Sequence, residues 1–241
     1  MIIKKKIWKT FASVSLLAIV SVLFGSCLKG EEFKPVAYAF FTIQKTAYSP
    51  SGIVLIQDLT GTKFYPSAKS VEDIGGLNGL ERAFLEFTFQ EGEEYTEGKS
   101  EYKIDLVNYG RSFGISTKSL CARPDTLRND SISEFTSVWA DRGYVTTLAN
   151  VYVSDRVYLD MTKERIGGDT LYLHMNQNLA AKKGYKVAYS YNSFRMPSAD
   201  DLRNEGIQTK EDSIVVAVSA KIGRQYEKPK TEYKYCKYKL D

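Results

Sequence analysis

Short stretches in which apolar and polar residues alternate constrain the fold of this chain more than any other feature. The clearest stretch spans residues 82–91. Its apolar positions are Ala83, Leu85, Phe87 and Phe89. Side chains that alternate with a period of two lie on opposite faces of a strand, so this pattern predicts a half-buried β-strand. Similar stretches recur between turn-forming residues, and the sequence therefore predicts an all-β protein.

The spacing of the predicted strands indicates two domains. About five strands lie between residues 33 and 110, as in a small closed barrel of the OB-fold type. A polar segment at 123–131 marks the domain boundary. Longer strands follow it, one of them at 151–161, and they predict an immunoglobulin-like β-sandwich. We therefore expect an OB-fold-like domain at 36–122 and a β-sandwich domain at 123–241.

A short helix is predicted within the second domain, beginning after Ser198. A serine at this position caps the first turn of a helix, and Asp200 and Asp201 suit the positive end of the helix dipole. Gly206 is expected to end the helix.

The first 26 residues have the pattern of a secretory signal. Four lysines within the first ten residues precede an uncharged apolar stretch at 11–24, which is too short to span a membrane. Cys27 follows Leu23, Phe24, Gly25 and Ser26, and this arrangement resembles the lipobox of bacterial lipoproteins, in which the cysteine is acylated. We expect a signal peptide at 1–26, a lipidated Cys27 and a tether at 27–35. The alternative is an ordinary secreted protein with a cysteine near its cleavage site.

The residues after Cys27 carry a second sorting feature. Lys29, Gly30, Glu31 and Glu32 resemble the short lysine-plus-acidic signal that sends some Gram-negative lipoproteins to the cell surface. A solvated tether of the same composition is an equally good interpretation. The sequence thus predicts a lipid anchor in the outer membrane. It leaves open whether the domains face the periplasm or the cell exterior.

The charge of the mature chain argues against a nucleic-acid partner. The whole chain has a formal net charge of +4, from 33 basic and 29 acidic residues. Four of the basic residues are lysines of the predicted signal peptide, so 29 basic residues remain against 29 acidic ones. A neutral protein lacks the electrostatic attraction on which nucleic-acid binding depends.

Candidate catalytic residues are few. His174 is the only histidine in the chain, so a serine or cysteine hydrolase would need it as the base. Its predicted strand places it beside Tyr172 and Asn176 on a polar face, which favours a solvated surface histidine. Asp155 and Asp160 could pair for glycoside hydrolysis, but chance proximity is expected among 29 acidic residues. Without a nucleophile motif or clustered metal ligands, we predict no enzyme, cofactor or metal.

Cys121 and Cys236 are candidates for a disulfide. After export they would lie in an oxidising compartment, where a bridge would tie the interdomain segment to the last strand. In the chain-entropy model a loop of this length contributes about 4 kcal/mol or more. Two separately buried thiols are the alternative interpretation.

Tyrosine and lysine alternate near the C-terminus, in YKYCKYK at 233–239. Such a segment could bind nucleic acid or an anionic glycan. We favour an edge strand whose lysines prevent pairing with other chains, since the mature chain is neutral.

Four short motifs and Cys27 carry a resemblance to a known family. The motifs are FTIQKT at 41–46, FYP at 64–66, GDTLYL at 168–173 and DSIVV at 212–216. Together they resemble the NigD-like proteins, lipoproteins of Gram-negative anaerobes with an N-terminal OB domain and a C-terminal β-sandwich. The resemblance implies this fold and an envelope location. It implies no activity, because function resides in sites rather than in folds.

We expect a non-catalytic role in the cell envelope. The leading hypothesis is an accessory lipoprotein that captures a glycan, a peptide or a partner protein. A structural component that docks on another outer-membrane protein is the second hypothesis, and a hydrolase that depends on His174 is the third. An exposed aromatic groove would favour ligand capture, whereas one broad apolar patch would favour docking.

Overall fold

The computed structural model describes residues 34–108, 110–121, 129–153, 157–179, 186–223 and 228–240. These residues form fourteen strands and two short helices, arranged as a barrel followed by a two-sheet sandwich. The predicted all-β class is confirmed. No helix in this part of the chain is long and apolar enough to cross a membrane.

The N-terminal domain is a closed five-stranded barrel with a short additional strand. Its elements are β1 (Ala37–Lys45), β2 (Ile53–Gln57), β3 (Lys63–Pro66), α1 (Ala68–Asp73), β4 (Arg82–Phe89), β5 (Glu101–Val107) and β6 (Phe113–Gly114). The strand order is β1-β2-β3-β5-β4, and β4 pairs again with β1 to close the barrel. Strands β3 and β5 run parallel. This order, with α1 between β3 and β4, is that of the predicted OB-fold.

Aromatic rings fill the barrel interior. Phe41, Phe64 and Phe87 point inward from three strands, with ring centroids 5.1–5.8 Å apart. Tyr102 stacks on Phe64 at 5.4 Å. These four rings are all buried. Because side chains alternate along a strand, the residues between the inward positions of β1 and β4 point out of the barrel, toward the second domain.

The C-terminal domain is a sandwich of two four-stranded sheets. Its elements are β7 (Thr117–Ser119), β8 (Glu134–Asp141), β9 (Tyr144–Val153), β10 (Val157–Gly167), β11 (Thr170–Leu179), β12 (Lys186–Arg195), α2 (Ala199–Asn204), β13 (Ser213–Ile222) and β14 (Lys230–Lys239). One sheet has the order β7-β12-β9-β8 and the other β10-β11-β13-β14. Their inner faces form one apolar core, which includes Phe135, Met161, Leu173, Phe194 and Val216.

Two features of the sandwich differ from the prediction. The stretch at 151–161, predicted as one strand, is divided between β9 and β10, which belong to different sheets. Both strands turn apolar side chains to the same core, so the alternation gives no sign of the change of sheet. In addition, β11 and β13 run parallel, unlike the antiparallel strands of immunoglobulin sheets. The chain between them passes through β12 in the opposite sheet and through α2.

Helix α2 forms where the sequence predicts it. The Ser198 side chain accepts a hydrogen bond from the backbone of Asp201, and the Asp201 carboxylate accepts one from the backbone of Ser198. This reciprocal capping box satisfies two backbone donors of the first turn. Leu202 is fully buried and fixes the helix against the sandwich core.

The chain passes from barrel to sandwich earlier than the boundary predicted at residue 123. Strand β6 pairs with β4 of the barrel, whereas β7 already pairs with β12 of the sandwich. Residues 115 and 116 therefore connect the two sheet systems. The polar segment that suggested the boundary lies largely outside the described residues.

Candidate ligand-binding site

The barrel carries an open cleft of about 680 Å³. It lies between the β1–β2 loop and the β4–β5 loop, above β3, β5 and the start of α1. Tyr48 and Pro50 come from the first loop, Tyr65 and Pro66 from β3, and Glu101 from β5. In OB-folds these two loops flank the surface that binds oligosaccharides and oligonucleotides.

The β1–β2 loop presents Tyr48 to solvent because the loop closes on itself. The backbone N–H of Thr46 donates to the carbonyl of Gly52 at 2.9 Å, and the N–H of Gly52 donates to Ser49 at 2.9 Å. Gly52 has a φ of +73°, a conformation that favours glycine. The tight turn leaves the Tyr48 side chain 94% exposed. An aromatic ring this exposed has little to pack against within its own domain.

The second tyrosine of the cleft is oriented by charged neighbours. The Tyr65 hydroxyl donates to the Glu101 carboxylate at 3.4 Å, and Lys63 forms an ion pair with the same carboxylate at 3.2 Å. These contacts hold the Tyr65 hydroxyl over β5.

Tyr102 anchors the β4–β5 loop from below. Its hydroxyl donates to the carbonyl of Thr96 at 2.7 Å and accepts from the Thr96 N–H at 3.1 Å. Lys99 lies 4.9 Å from the Tyr102 ring centroid and forms an ion pair with Glu93. These contacts hold the β4–β5 loop, one rim of the cleft, against the barrel core.

A different set of residues joins the barrel to the sandwich. Arg82, at the start of β4, is fully buried and donates to Asp58 at 2.5 Å and to Thr146 of the sandwich at 3.0 Å. Trp139 of β8 donates its indole N–H to the same Asp58 carboxylate at 2.7 Å. Burial raises the pKa of Asp58 above its ordinary value, against the opposing effect of Arg82. One buried ion pair is therefore shared by both domains.

Aromatic rings and a second ion pair extend this junction. Phe40 of β1 packs against Trp139 and Tyr191 of the sandwich, with both centroid distances 5.1 Å. At the rim, Arg195 pairs with Glu81, and this hydrogen bond lowers the pKa of the Glu81 carboxyl. The sequence alone does not identify the polar residues of this junction, because a polar residue on an alternating strand is expected to face solvent.

Comparisons with known proteins identify the fold. No family model and no curated protein matches the chain. A candidate lipoprotein of known structure from Bacteroides fragilis NCTC 9343 is 10% identical, with a TM-score of 0.59 over 85% of this chain and 98% of that one. A NigD-like immunity protein from Bacteroides caccae ATCC 43185 is 14% identical, with a TM-score of 0.55 over 83% of this chain and 94% of that one. The chain has the fold of the NigD-like proteins.

A third solved structure agrees with this identification. A protein of unknown function from Bacteroides vulgatus ATCC 8482 is 15% identical, with a TM-score of 0.53 over 82% of this chain and 89% of that one. Similarity at such low identity establishes the NigD-like fold alone and assigns no binding residues. The residues of the cleft and of the junction are therefore assigned from the geometry of this chain alone.

The prediction of a solvated His174 is wrong. The side chain is 14% exposed, its Nδ1 lies 2.6 Å from the Ser219 hydroxyl, and its Nε2 lies 2.6 Å from the Asn129 amide nitrogen. The strand places the ring outward as expected, but the chain at Asn129 covers it. Burial lowers the pKa of His174. Both ring nitrogens are engaged and Ser219 is buried, so the pair is not arranged to attack a substrate.

Cys121 and Cys236 are not joined to each other. Cys121 pairs with Thr162 at the outer edge of β10, and Cys236 lies in β14 at the opposite edge of the same sheet. Strands spaced about 4.8 Å apart separate them by roughly 19 Å, far beyond disulfide reach. Burial raises the pKa of the Cys236 thiol to about 12, as expected for the alternative of a buried thiol.

The remaining sequence predictions fall partly on described residues and partly outside them. The segment at 233–239 forms β14, an edge strand as predicted. Cys27, the residues at 23–26 before it and the residues at 29–32 after it lie outside the described part of the chain. Asp155 does too, while Asp160 lies 4.0 Å from Lys118.

Replacement of Arg82 by methionine is expected to destabilise the folded chain by about 3–5 kcal/mol, because Asp58 would remain buried without its cation. Denaturant unfolding of the full chain measures the change. The double variant Arg82→Met, Asp58→Asn removes both charges and is expected to recover part of the loss. Equal stabilities of Arg82→Met and the wild type would show that the ion pair does not hold the junction.

The stability of the folded chain is expected to fall as pH drops below about 6.5, the ordinary pKa of histidine. The folded state disfavours protonated His174, since its pKa is lowered, so protonation favours unfolding until the pH lies below the folded-state value. His174→Gln should remove this step. Unfolding midpoints between pH 7 and 5 test the expectation, and an unchanged slope in the variant would contradict it.

Proposed function

We propose that this NigD-like protein is a non-catalytic envelope protein, anchored in the outer membrane by lipidated Cys27, that captures a neutral saccharide in the barrel cleft. One observation carries the binding role: the cleft lies between the two loops used for ligands in OB-folds and presents the exposed ring of Tyr48 beside the half-buried Tyr65. A groove of this kind favours ligand capture over docking through one broad apolar patch.

The side chains of the cleft suit a sugar. Tyr48 and Tyr65 offer ring faces against which the apolar face of a sugar ring can stack. Glu101 supplies carboxylate oxygens that accept hydrogen bonds from hydroxyl groups, and Lys103 supplies a donor. Flat aromatic surface beside charged hydrogen-bonding groups is a combination that fits a polyhydroxylated ring.

The charge of the cleft rim disfavours an anionic ligand. The β4–β5 loop carries glutamates at 91, 93, 94 and 97 and a single lysine at 99. Lys99 is already paired with Glu93, and Lys63 with Glu101. The net negative potential would repel phosphates or acidic sugars. A neutral saccharide is the class of ligand that the cleft fits best.

The membrane anchor rests on the N-terminal sequence. The lysine-rich start, the apolar stretch and the small residues before Cys27 follow the lipoprotein signal pattern. The similar structure from Bacteroides fragilis is described as a candidate lipoprotein, which supports the same location for this chain.

Tyr48→Ala and Tyr65→Ala are each expected to weaken saccharide binding about tenfold, which corresponds to the roughly 1.4 kcal/mol of one stacking contact. A glycan array probed with the purified full chain would identify the neutral glycan with the strongest signal. Calorimetric titration of that glycan then gives the affinities of the wild type and the variants.

Tyr235→Ala is the matched control, since Tyr235 is an exposed tyrosine of β14, outside the cleft. It is expected to leave the affinity unchanged. Absence of any neutral glycan from the array hits, or equal affinities for all three variants, would overturn the proposed ligand. A hit among peptides that depends on Tyr48 would reassign the cleft to peptide capture.

Cys27→Ala is expected to abolish fatty-acid labelling of the protein and to release it from membranes, because the acylated thiol is the proposed anchor. Metabolic labelling with an alkyne fatty acid, followed by membrane fractionation, measures both effects. Cys236→Ala serves as the control and should keep label and location. If Cys27→Ala retained the label, the lipid would be attached to another residue and the proposed anchor would be wrong.

A further inference from the structure

The two sheets of the sandwich end at four described strands, β7, β8, β10 and β14, and the last three are protected against pairing with another chain. Strand β14 carries four lysines in ten residues. Strand β8 has a bulge between Phe135 and Ser137, and β10 has one between Lys163 and Arg165. Charges and bulges are the usual means by which folded proteins block unwanted strand pairing.

Strand β12 is different, because most of its edge is open. The short strand β7 pairs with β12 only at Ser193, Phe194 and Arg195. On the side of β12 away from β9, no described strand lies beside the remaining residues, 186–192. This open edge carries neither a bulge nor a proline, and its one charged residue, Lys186, is at its end.

The open edge exposes hydrogen-bonding groups as well as side chains. The N–H of Ser193 donates to Ser116 on the β7 side. Backbone groups alternate in direction along a strand, so those of Tyr191, Tyr189 and Val187 also point to this side, where no described strand meets them. The side chains of Tyr189 and Val187 are 72% and 53% exposed. The edge therefore offers an extended backbone and an apolar surface together.

We infer that a second copy of this chain pairs with the open edge, β12 against β12, in an antiparallel two-fold dimer. With the two-fold axis at Tyr189, each copy's Tyr189 faces its counterpart and exchanges both backbone hydrogen bonds with it. Val187 then lies opposite Tyr191 of the other copy. The two four-stranded sheets become one continuous sheet across the axis.

The edge is self-complementary in this register. Tyrosine lies opposite tyrosine and valine opposite tyrosine, which are the aromatic and β-branched pairs that stabilise neighbouring strands. Lys186 falls opposite Asn192, so no like charges meet. An antiparallel β14 pair would instead crowd lysines together, since four of its ten residues are lysine. A two-fold contact requires a surface that is complementary to itself, and the open edge of β12 meets this requirement.

Sedimentation of the full chain in density-matched detergent tests this inference, because the detergent then adds no apparent mass. The wild type is expected to sediment with twice the mass of one chain. Tyr189→Lys places two lysines against each other on the axis and should weaken association about tenfold or more. Tyr235→Lys makes the same change on β14 and should leave the dimer intact.

Charge reversal makes the test specific for the two-fold position. Tyr189→Lys and Tyr189→Glu are each expected to be monomeric, and an equimolar mixture of the two should form a dimer again. Since Tyr189 is largely exposed, both variants should still fold and unfold cooperatively, at a midpoint below that of the wild type because they lack the stabilisation that association supplies. A monomeric wild type, a dimer unaffected by Tyr189→Lys, or a mixture that stays monomeric would each overturn the inference.

Discussion

The ion pair between Arg82 and Asp58 fixes how the two domains are placed. A buried guanidinium needs partners for its donors, and here they come from the barrel through Asp58 and Thr42 and from the sandwich through Thr146. Neither domain alone supplies enough partners to offset the desolvation free energy of burying these two charges. The barrel and the sandwich therefore meet in one orientation, and the cleft and the open edge of β12 keep fixed positions relative to each other.

This arrangement assigns different faces of the barrel to different tasks. The outward residues of β1 and β4 are covered by the sandwich, so they cannot serve a ligand. Strands β3 and β5, on another part of the barrel wall, remain open and carry the cleft. Tyr102 connects the cleft to the core, because its ring packs on Phe64 while its hydroxyl holds the β4–β5 loop.

The strands, their grouping into barrel and sandwich, and helix α2 could be predicted from sequence because each depends on local pattern. The buried junction could not, since its residues are distant in sequence and polar. Arg82 occupies a position that alternation marks as solvent-facing, and only the neighbouring domain makes it interior. The burial of His174 is unpredictable for a related reason: its own strand turns the side chain outward, and a segment distant in sequence, at Asn129, covers it. The cleft could not be predicted either, since no local pattern indicates that the β1–β2 loop and β3 bring Tyr48 and Tyr65 to the same cleft.

The early start of β1 limits the reach of a membrane-anchored form. Nine residues lie between Cys27 and the first strand at Ala37, and the ten Cα–Cα steps of a fully extended chain span about 35 Å at most. In the proposed lipid-anchored form, the barrel rather than the sandwich would be the domain held next to the lipid. Any saccharide that enters its cleft would have to be part of, or diffuse into, the layer immediately above the headgroups.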